Sequence, residues 1–205
     1  DERSNRLANA LLALGLTRGD RVAIQSRNRP ELVEIECALY KAGLVKAALN
    51  PRFTAAEASD VAENCTPRIL FAGPGYTGYS PQTAGFASVE TFIAIGKPAD
   101  GYGDYEALLA GASPAPLDIT PQPDDLAVLH FSSGSTGKIK AAMQSYGNRL
   151  AALRKMLLAF AQDIRVVLVR LASRLLLTMT AFMMPTSVSP KSDLISSTRG
   201  APSAN

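Results

Sequence analysis

The stretch RVAIQSRNRPELVEIECALYKAGLVKAAL, residues 21–49, indicates the fold class because a strand, a helix and a second strand follow one another in it. The first strand centres on residues 22–24, and residues 44–49 are apolar enough to form the second. Pro30 suits the first turn of the intervening helix, and Gly43 is a natural terminator. The apolar helix positions expected to face the core are Val33, Ala38 and Leu39. This order is typical of a βαβ unit in a parallel sheet.

The same alternation continues on both sides of this unit. Residues 4–14 have helical spacing of leucines, with Gly15 as a stop. Thr54 and Glu57 form the pattern of a capping box for a helix that runs to about Cys65. The further predicted elements are strands at residues 68–73 and 89–95, a short helix at 104–112, a strand at 125–131 and a helix at 148–161. The sequence therefore predicts an α/β fold with a mostly parallel sheet flanked by helices.

Composition is that of a globular protein and gives no sign of a nucleic-acid partner. Of the 205 residues, 47% are hydrophobic and 19% are charged, which is an ordinary balance for a folded domain. The net charge is +3, yet residues 1–160 carry 16 basic and 16 acidic residues. No basic stripe with interleaved aromatic residues is present, so we predict no nucleic-acid binding. No apolar run reaches the roughly 20 residues that a membrane-spanning helix requires.

The stretch HFSSGSTGKIKAAMQS, residues 130–145, is the candidate functional segment. Two interpretations are open, a flexible Ser/Gly linker and a phosphate-binding loop. A predicted strand precedes the segment, and it combines hydroxyls, glycines and lysines, which together favour phosphate binding over a linker. The spacing fits neither a Walker A loop nor a dinucleotide-binding fingerprint. The candidate residues are Ser132, Ser133, Gly134, Ser135, Thr136, Gly137, Lys138 and Lys140.

The segment FSSGSTGKIKAAMQS, residues 131–145, resembles the signature loop of the adenylate-forming superfamily, which includes acyl-CoA synthetases and fatty-acyl-AMP ligases. Residues 7–57 independently resemble the opening subdomain of these enzymes, including the Gly-Asp-Arg-Val turn and the Leu-Asn-Pro-Arg step. The similarity is greatest to fatty-acid–CoA ligases. It implies that residues 1–160 form part of the N-terminal AMP-binding domain, an incomplete N-terminal subdomain of the fold. Residues 161–205 are expected to be a partly disordered tail unlike the family.

The resemblance implies an ATP- and Mg²⁺-dependent reaction in two steps. A carboxylate, such as a fatty acid, forms an acyl-adenylate, and a thiol, usually that of CoA, then accepts the acyl group. Residues 132–137 would hold the β and γ phosphates, and Lys140 corresponds to the loop lysine that pairs with phosphate. Lys138 occupies a variable position and is expected to be solvated. The chain departs from the family pattern at Ala48, Ile139, Ala141 and Tyr146.

No catalytic residue is assigned, because the downstream motifs of the superfamily are not found in the sequence. We therefore expect a truncated or frameshifted chain that is inactive alone as a fatty-acid–CoA ligase. Two alternatives stay open. One is a non-catalytic remnant with weak nucleotide binding or protein association, and the other is a fatty-acyl-AMP ligase that loads a carrier protein. The chain lacks the features of a signal peptide, so a cytoplasmic location is expected by default.

Several other residues receive structural interpretations. Cys37 and Cys65 are expected to be buried free thiols, with no metal ligands at a suitable spacing. His130, the only histidine, is interpreted as a partly buried structural residue rather than a base. Four tyrosines near predicted loops could form a stacking surface, but packing of the loops is preferred; they are Tyr76, Tyr79, Tyr102 and Tyr105. Three arginines of the tail could belong to a helix on a membrane surface, but an exposed remnant is preferred; they are Arg165, Arg170 and Arg174.

Overall fold

The computed structural model describes residues 1–133, 139–162 and 165. The chain divides into two compact units, Asp1–Lys155 and Met156–Asn205. The strands of the first unit are β1 (Arg21–Gln25), β2 (Val45–Leu49), β3 (Ile69–Ala72), β4 (Thr91–Ala94), β5 (Gly103–Asp104), β6 (Leu126–Ser133) and β7 (Ile139–Ser145). The helices of this unit are α1 (Glu2–Ala13), α2 (Pro30–Ala42), α3 (Ala55–Cys65), α4 (Tyr105–Ala110) and α5, residues 146–155. Of the second unit, the structure describes only helical residues 156–162 and Arg165.

The seven strands form one sheet in the order β5-β4-β3-β1-β2-β6-β7. All neighbouring strands are parallel except β6 and β7, which are antiparallel. The predicted α/β class with a mostly parallel sheet is therefore confirmed. Strand β1 lies at a reversal of strand order, since the chain passes from β1 to β2 on one side and then to β3 on the other. Ligands in open α/β sheets bind beyond the carboxyl ends of the strands at such a point.

The predicted helix boundaries have visible physical causes. Gly43 adopts φ 68°, a left-handed conformation that glycine enters without a steric penalty, and α2 ends there. At the start of α3, the Thr54 backbone N–H donates to Glu57 Oε2 at 2.8 Å, and the Glu57 N–H donates to Thr54 Oγ1 at 3.3 Å. This reciprocal pair is the capping box that the sequence predicts. It satisfies backbone donors that have no partner inside the helix.

Two hydrophobic cores lie on the two sides of the sheet. On one side, α1, α2 and α4 pack on a layer that includes Val22, Ile69 and Phe71. On the other side, α3 packs on alternate strand residues, among them Ala47 and Leu70. This division follows from strand geometry, because successive side chains point to opposite faces of a sheet.

Two of the expected core positions are wrong. Val33 is 66% exposed, since the buried side of α2 is formed by Ile35, Ala38, Leu39 and Ala42. Cys37 is also exposed, whereas Cys65 is buried as predicted, and burial raises the pKa of its thiol to about 11. Hydrophobicity alone did not identify the buried side of α2. Val33 and Ile35 are two positions apart on the helix, so their side chains point in nearly opposite directions and only Ile35 faces the core.

The tyrosines near the loops pack as the sequence analysis preferred. The Tyr79 ring stacks on Phe86 with 4.3 Å between centroids. The Tyr102 hydroxyl accepts from the Tyr79 N–H at 3.1 Å and donates to the Tyr79 carbonyl at 2.9 Å. Tyr105 is buried, with an edge-on contact to Phe71. These contacts fix the loops after β3 and β4.

Strand β7 is an element that the sequence analysis missed. No strand was predicted between the strand at 125–131 and the helix at 148–161, but residues Ile139–Ser145 pair with β6 to form a hairpin. The segment IKAAMQS contains two alanines and a lysine, residues of low strand propensity, so the pairing with β6 explains its extended form. The candidate loop consequently connects two antiparallel strands.

The predicted tail falls largely outside the described residues. Arg165 is helical and exposed, while Arg170 and Arg174 lie outside the described part of the chain. The expected division at residue 160 therefore stays a prediction. In the part of the chain that the structure describes, no helix is long and apolar enough to cross a membrane.

Candidate functional site

The hairpin of β6 and β7 brings two of the predicted phosphate-binding residues together. Ser132 lies directly opposite Lys140 in the antiparallel ladder, and Ser133 lies opposite Ile139. Ser132 and Lys140 are both exposed. The other predicted site residues lie outside the described residues, as does the side chain of Ser133. They are Gly134, Ser135, Thr136, Gly137 and Lys138.

The end of this hairpin that carries the candidate loop lies at the carboxyl edge of the parallel sheet. Strand β6 runs parallel to β2, with Lys46 opposite Val128 and Ala48 opposite His130. The end of β6 at Ser133 is therefore on the same edge as the ends of β1, β2 and β3. A hydroxyl and an ammonium at this edge fit a phosphate group, because an oxyanion accepts hydrogen bonds from both.

A cavity of about 340 Å³ adjoins the hairpin on the face that carries His130. Its polar wall residues are Ser26, Lys46, Asn50 and His130. The remaining wall is apolar and comes from β1, β2, α2 and Phe131 of β6. His130 is exposed at this cavity, so the prediction of a partly buried structural histidine is wrong. Strand β6 lies beyond the helices that cover the centre of the sheet. A local sequence pattern does not reveal this position, so it could not predict that His130 is exposed.

A second cavity, of about 510 Å³, lies beyond the carboxyl ends of β1, β2 and β3. It is lined by Arg27, Asn28, Pro51, Arg52 and Tyr76. Both arginines are exposed, and neither forms an ion pair with a carboxylate of the described residues. The Tyr76 hydroxyl donates to the Pro51 carbonyl at 3.1 Å, which joins two of the loops. The cavity therefore presents two uncompensated positive charges at the reversal of strand order, a setting that favours an anion.

Sequence analysis missed these arginines as site residues. Arg27 follows β1 by two residues and Arg52 follows β2 by three, so both lie just past the carboxyl ends of adjacent strands. Once a parallel pairing of β1 and β2 is assumed, this placement predicts that the two side chains share one edge. That signal was available in the sequence.

A polar network connects α2, β2 and the start of α5. Lys46 Nζ donates to Glu36 Oε2 at 2.6 Å, and Arg149 Nη2 donates to Glu36 Oε1 at 2.8 Å. Tyr40 donates to Glu36 Oε1 at 2.9 Å and accepts from Arg149 Nε at 2.8 Å. The Tyr146 hydroxyl lies within donating distance of two backbone carbonyls at the end of α2. The network anchors β7 at the end opposite the candidate loop.

The protonation states in this network follow from burial and from charge. Burial acts to raise the pKa of the Glu36 carboxyl, but the hydrogen bond and charge of Lys46, with Tyr40 and Arg149, outweigh it and hold the pKa below its ordinary value. Burial and the hydrogen bond to Glu36 raise the pKa of Tyr40 to about 12. Near neutral pH the network is a carboxylate held between two cations.

Among the described residues, no three His, Cys, Asp or Glu side chains converge in a way that could hold a metal ion. Mg²⁺ commonly binds through substrate phosphates and water with only one or two carboxylates. The donor set near the hairpin, hydroxyl and ammonium, therefore fits the phosphates of a nucleotide rather than the metal itself.

Comparison with known proteins identifies the family. The profile of the AMP-binding enzyme family matches residues 1–186. The chain is 32% identical over 143 residues to an indoleacetate–CoA ligase of Aromatoleum aromaticum, covering 69% of this chain and 28% of that protein. It is also 32% identical over 143 residues to a fatty acid–acyl-carrier-protein ligase of Streptomyces coeruleorubidus, covering 70% and 26%. The solved structure of apo MatB from Rhodopseudomonas palustris superposes with a TM-score of 0.67 at 32% identity, covering 78% of this chain and 31% of that one.

The chain belongs to the AMP-binding enzyme family, the adenylate-forming superfamily that the sequence resembles. Its fold corresponds to the N-terminal part of these enzymes, as the sequence analysis predicted. The chain spans less than a third of the length of the two curated relatives described above.

Proposed function

We propose that this chain supplies the ATP-phosphate-binding part of an acid–thiol ligase of the fatty-acid–CoA ligase type. The observation that carries the proposal is the pairing of Ser132 with Lys140 at the carboxyl edge of the sheet. In the proposed reaction, a fatty acid carboxylate attacks the α phosphorus of ATP and releases pyrophosphate. The thiol of CoA then takes the acyl group from the resulting acyl-adenylate and releases AMP.

Each proposed phosphate-binding group has a defined physical contribution. The hydroxyl of Ser132 and the backbone of residues 133–137 supply hydrogen-bond donors, and Lys140 neutralises charge. We assign Lys138 no contact with phosphate. Mg²⁺ enters with the nucleotide, bound to its phosphates. The loop thus positions ATP and stabilises developing charge on the leaving pyrophosphate, and forms no covalent bond.

The cavity with Arg27 and Arg52 supports CoA as the acceptor. CoA carries several phosphates, so two arginines without carboxylate partners match its charge. We assign the anionic part of CoA to this cavity and expect Arg52→Ala to weaken CoA binding roughly tenfold, which is about 1.4 kcal/mol. Isothermal titration with CoA measures this change. Arg154→Ala, which removes an exposed cation from α5, is the matched control and should leave CoA affinity unchanged. Equal affinity of Arg52→Ala and the unmodified protein would contradict the assignment.

The proposed function is tested through binding rather than turnover. Residues that complete the adenine and acyl pockets in the superfamily belong to the part of the relatives that this chain does not match, so we propose that the chain alone binds nucleotide without ligating. Isothermal titration with Mg·ATP should show saturable binding, and Lys140→Ala should weaken it roughly tenfold through loss of one charge-assisted contact.

Lys97→Ala is the control for this experiment, because Lys97 is an exposed lysine in the loop after β4. It should bind Mg·ATP as the unmodified protein does. Thermal unfolding of all three proteins verifies that each is folded. Saturable binding of Mg·ATP that Lys140→Ala retains at full strength would contradict the proposed function, and so would the absence of binding by the folded, unmodified chain.

A further inference from the structure

His130 occupies the position next to the candidate phosphate-binding pair on the same face of the sheet. Alternate residues of a strand share a face, so His130 and Ser132 project to the same side. The cross-strand partner of His130 is Ala142, and that of Ser132 is Lys140. Residues two apart along a strand are separated by roughly 7 Å. A chain of phosphates held at Ser132 and Lys140 can therefore extend over His130.

The imidazole of His130 is accessible to such a ligand. Its neighbours on the two adjacent strands are Ala48 and Ala142, whose methyl groups leave the space around the ring open. The ring is exposed and lines the cavity of about 340 Å³. No hydrogen bond or ion pair with another described residue occupies either ring nitrogen. Both nitrogens are therefore available for an external partner.

The charges that face His130 make the site suited to an anion. Lys140 lies on β7 on the same face, and Lys46 lies on β2 in the wall of the cavity. Glu36 of α2, at 2.6 Å from Lys46, compensates that ammonium. The other polar wall residues, Ser26 and Asn50, carry no charge. A bound polyphosphate places negative charge beside the imidazole, and an opposite charge favours the protonated ring.

We propose that His130 is an anion-contacting residue of the phosphate site and that it takes up a proton when a polyphosphate binds. The inference rests on the proposed function, since it places the polyphosphate at Ser132 and Lys140. It assigns His130 a role in binding and gives nucleotide affinity a dependence on pH. The protonated imidazole donates a charge-assisted hydrogen bond to a phosphate oxygen, and the neutral ring contributes less.

The test is titration of the full chain with inorganic triphosphate at about pH 6 and about pH 8, a range over which histidine changes charge. His130→Gln should weaken binding roughly fivefold or more at the lower pH and less than about twofold at the higher pH. His130→Arg carries a permanent charge and should restore affinity at both values. Comparison of each variant with the unmodified protein at the same pH cancels the titration of triphosphate itself.

A second measurement reports the proton directly. Binding enthalpies in buffers of different ionisation enthalpy should show proton uptake by the unmodified protein and less uptake by His130→Gln. Equal weakening of His130→Gln at both pH values, or no weakening, overturns the inference. If Lys140→Ala loses affinity while His130→Gln does not, the inference fails and the proposed function stands. If neither the folded, unmodified chain nor any variant binds triphosphate, both fail.

Discussion

Phe71→Ala is expected to lower the free energy of unfolding by about 3–5 kcal/mol, the usual cost of removing a buried aromatic side chain. Phe71 is fully buried in β3, a strand paired on both sides. Its ring meets Tyr105 edge-on, with 6.1 Å between centroids, so the substitution also removes an aromatic contact between the sheet and α4. Phe71 belongs to the same buried cluster as residues of α2, α4 and β1, and a cavity inside such a core collapses only in part.

Urea-induced unfolding followed by circular dichroism measures this loss. The matched control is Val33→Ala, because Val33 is an apolar residue of α2 that is 66% exposed. It should change the free energy of unfolding by less than about 0.5 kcal/mol. A loss of similar size for both variants would show that α2 packs on the sheet through a different face.

The alternation of elements could be predicted from the sequence because its signals are local. Pro30 and Gly43 delimit α2 within one or two residues, and Thr54 with Glu57 marks the start of α3. Each signal acts through bonds between residues at most a few positions apart. A succession of short apolar strands and helices then leaves few arrangements other than a parallel sheet.

The features that the sequence analysis missed depend on contacts with other elements. Strand β7 is extended because it pairs with β6, although its own composition favours other structures. His130 is exposed because the helices that cover the centre of the sheet do not extend over this part of β6. Neither property follows from the composition of the segment itself.

The candidate site also contains residues that the sequence analysis identified and residues that it missed. Ser132 and Lys140 were identified from one contiguous segment, and the hairpin places them opposite each other. The arginine cavity combines loops after three strands, and the Glu36 network joins α2 to Arg149, which is 113 residues away in sequence. The two arginines could have been found from their positions just past β1 and β2, whereas the Glu36 network becomes visible only when the packing of α2 against β2 and α5 is known.

Glu36→Gln is expected to lower the free energy of unfolding by about 2 kcal/mol at neutral pH, less than the loss for a fully buried ion pair. Glutamine preserves the shape of the side chain but removes its charge. Lys46 and Arg149 would then face each other without the carboxylate that now lies 2.6 and 2.8 Å from them. Urea-induced unfolding at neutral pH measures the difference.

The effect should also depend on pH in a defined direction. The pKa of the Glu36 carboxyl is held below its ordinary value in the folded chain, because Lys46, Tyr40 and Arg149 outweigh the effect of burial. A group whose pKa is lowered on folding contributes stability above its unfolded value, near 4.3 for glutamate, and loses it as the pH falls through the folded value. The gap between the unmodified protein and Glu36→Gln should therefore be full at neutral pH and shrink in acid.

Glu63→Gln separates this effect from the general response of acidic residues. Glu63 is an exposed glutamate of α3 without an ion pair among the described residues, so its replacement should change stability by less than about 0.5 kcal/mol at any pH. A gap for Glu36→Gln that stays constant from neutral pH into acid would mean that the carboxylate charge does not hold the network together. A gap that closes in acid would identify the charge of Glu36 as the link between α2, β2 and the start of α5.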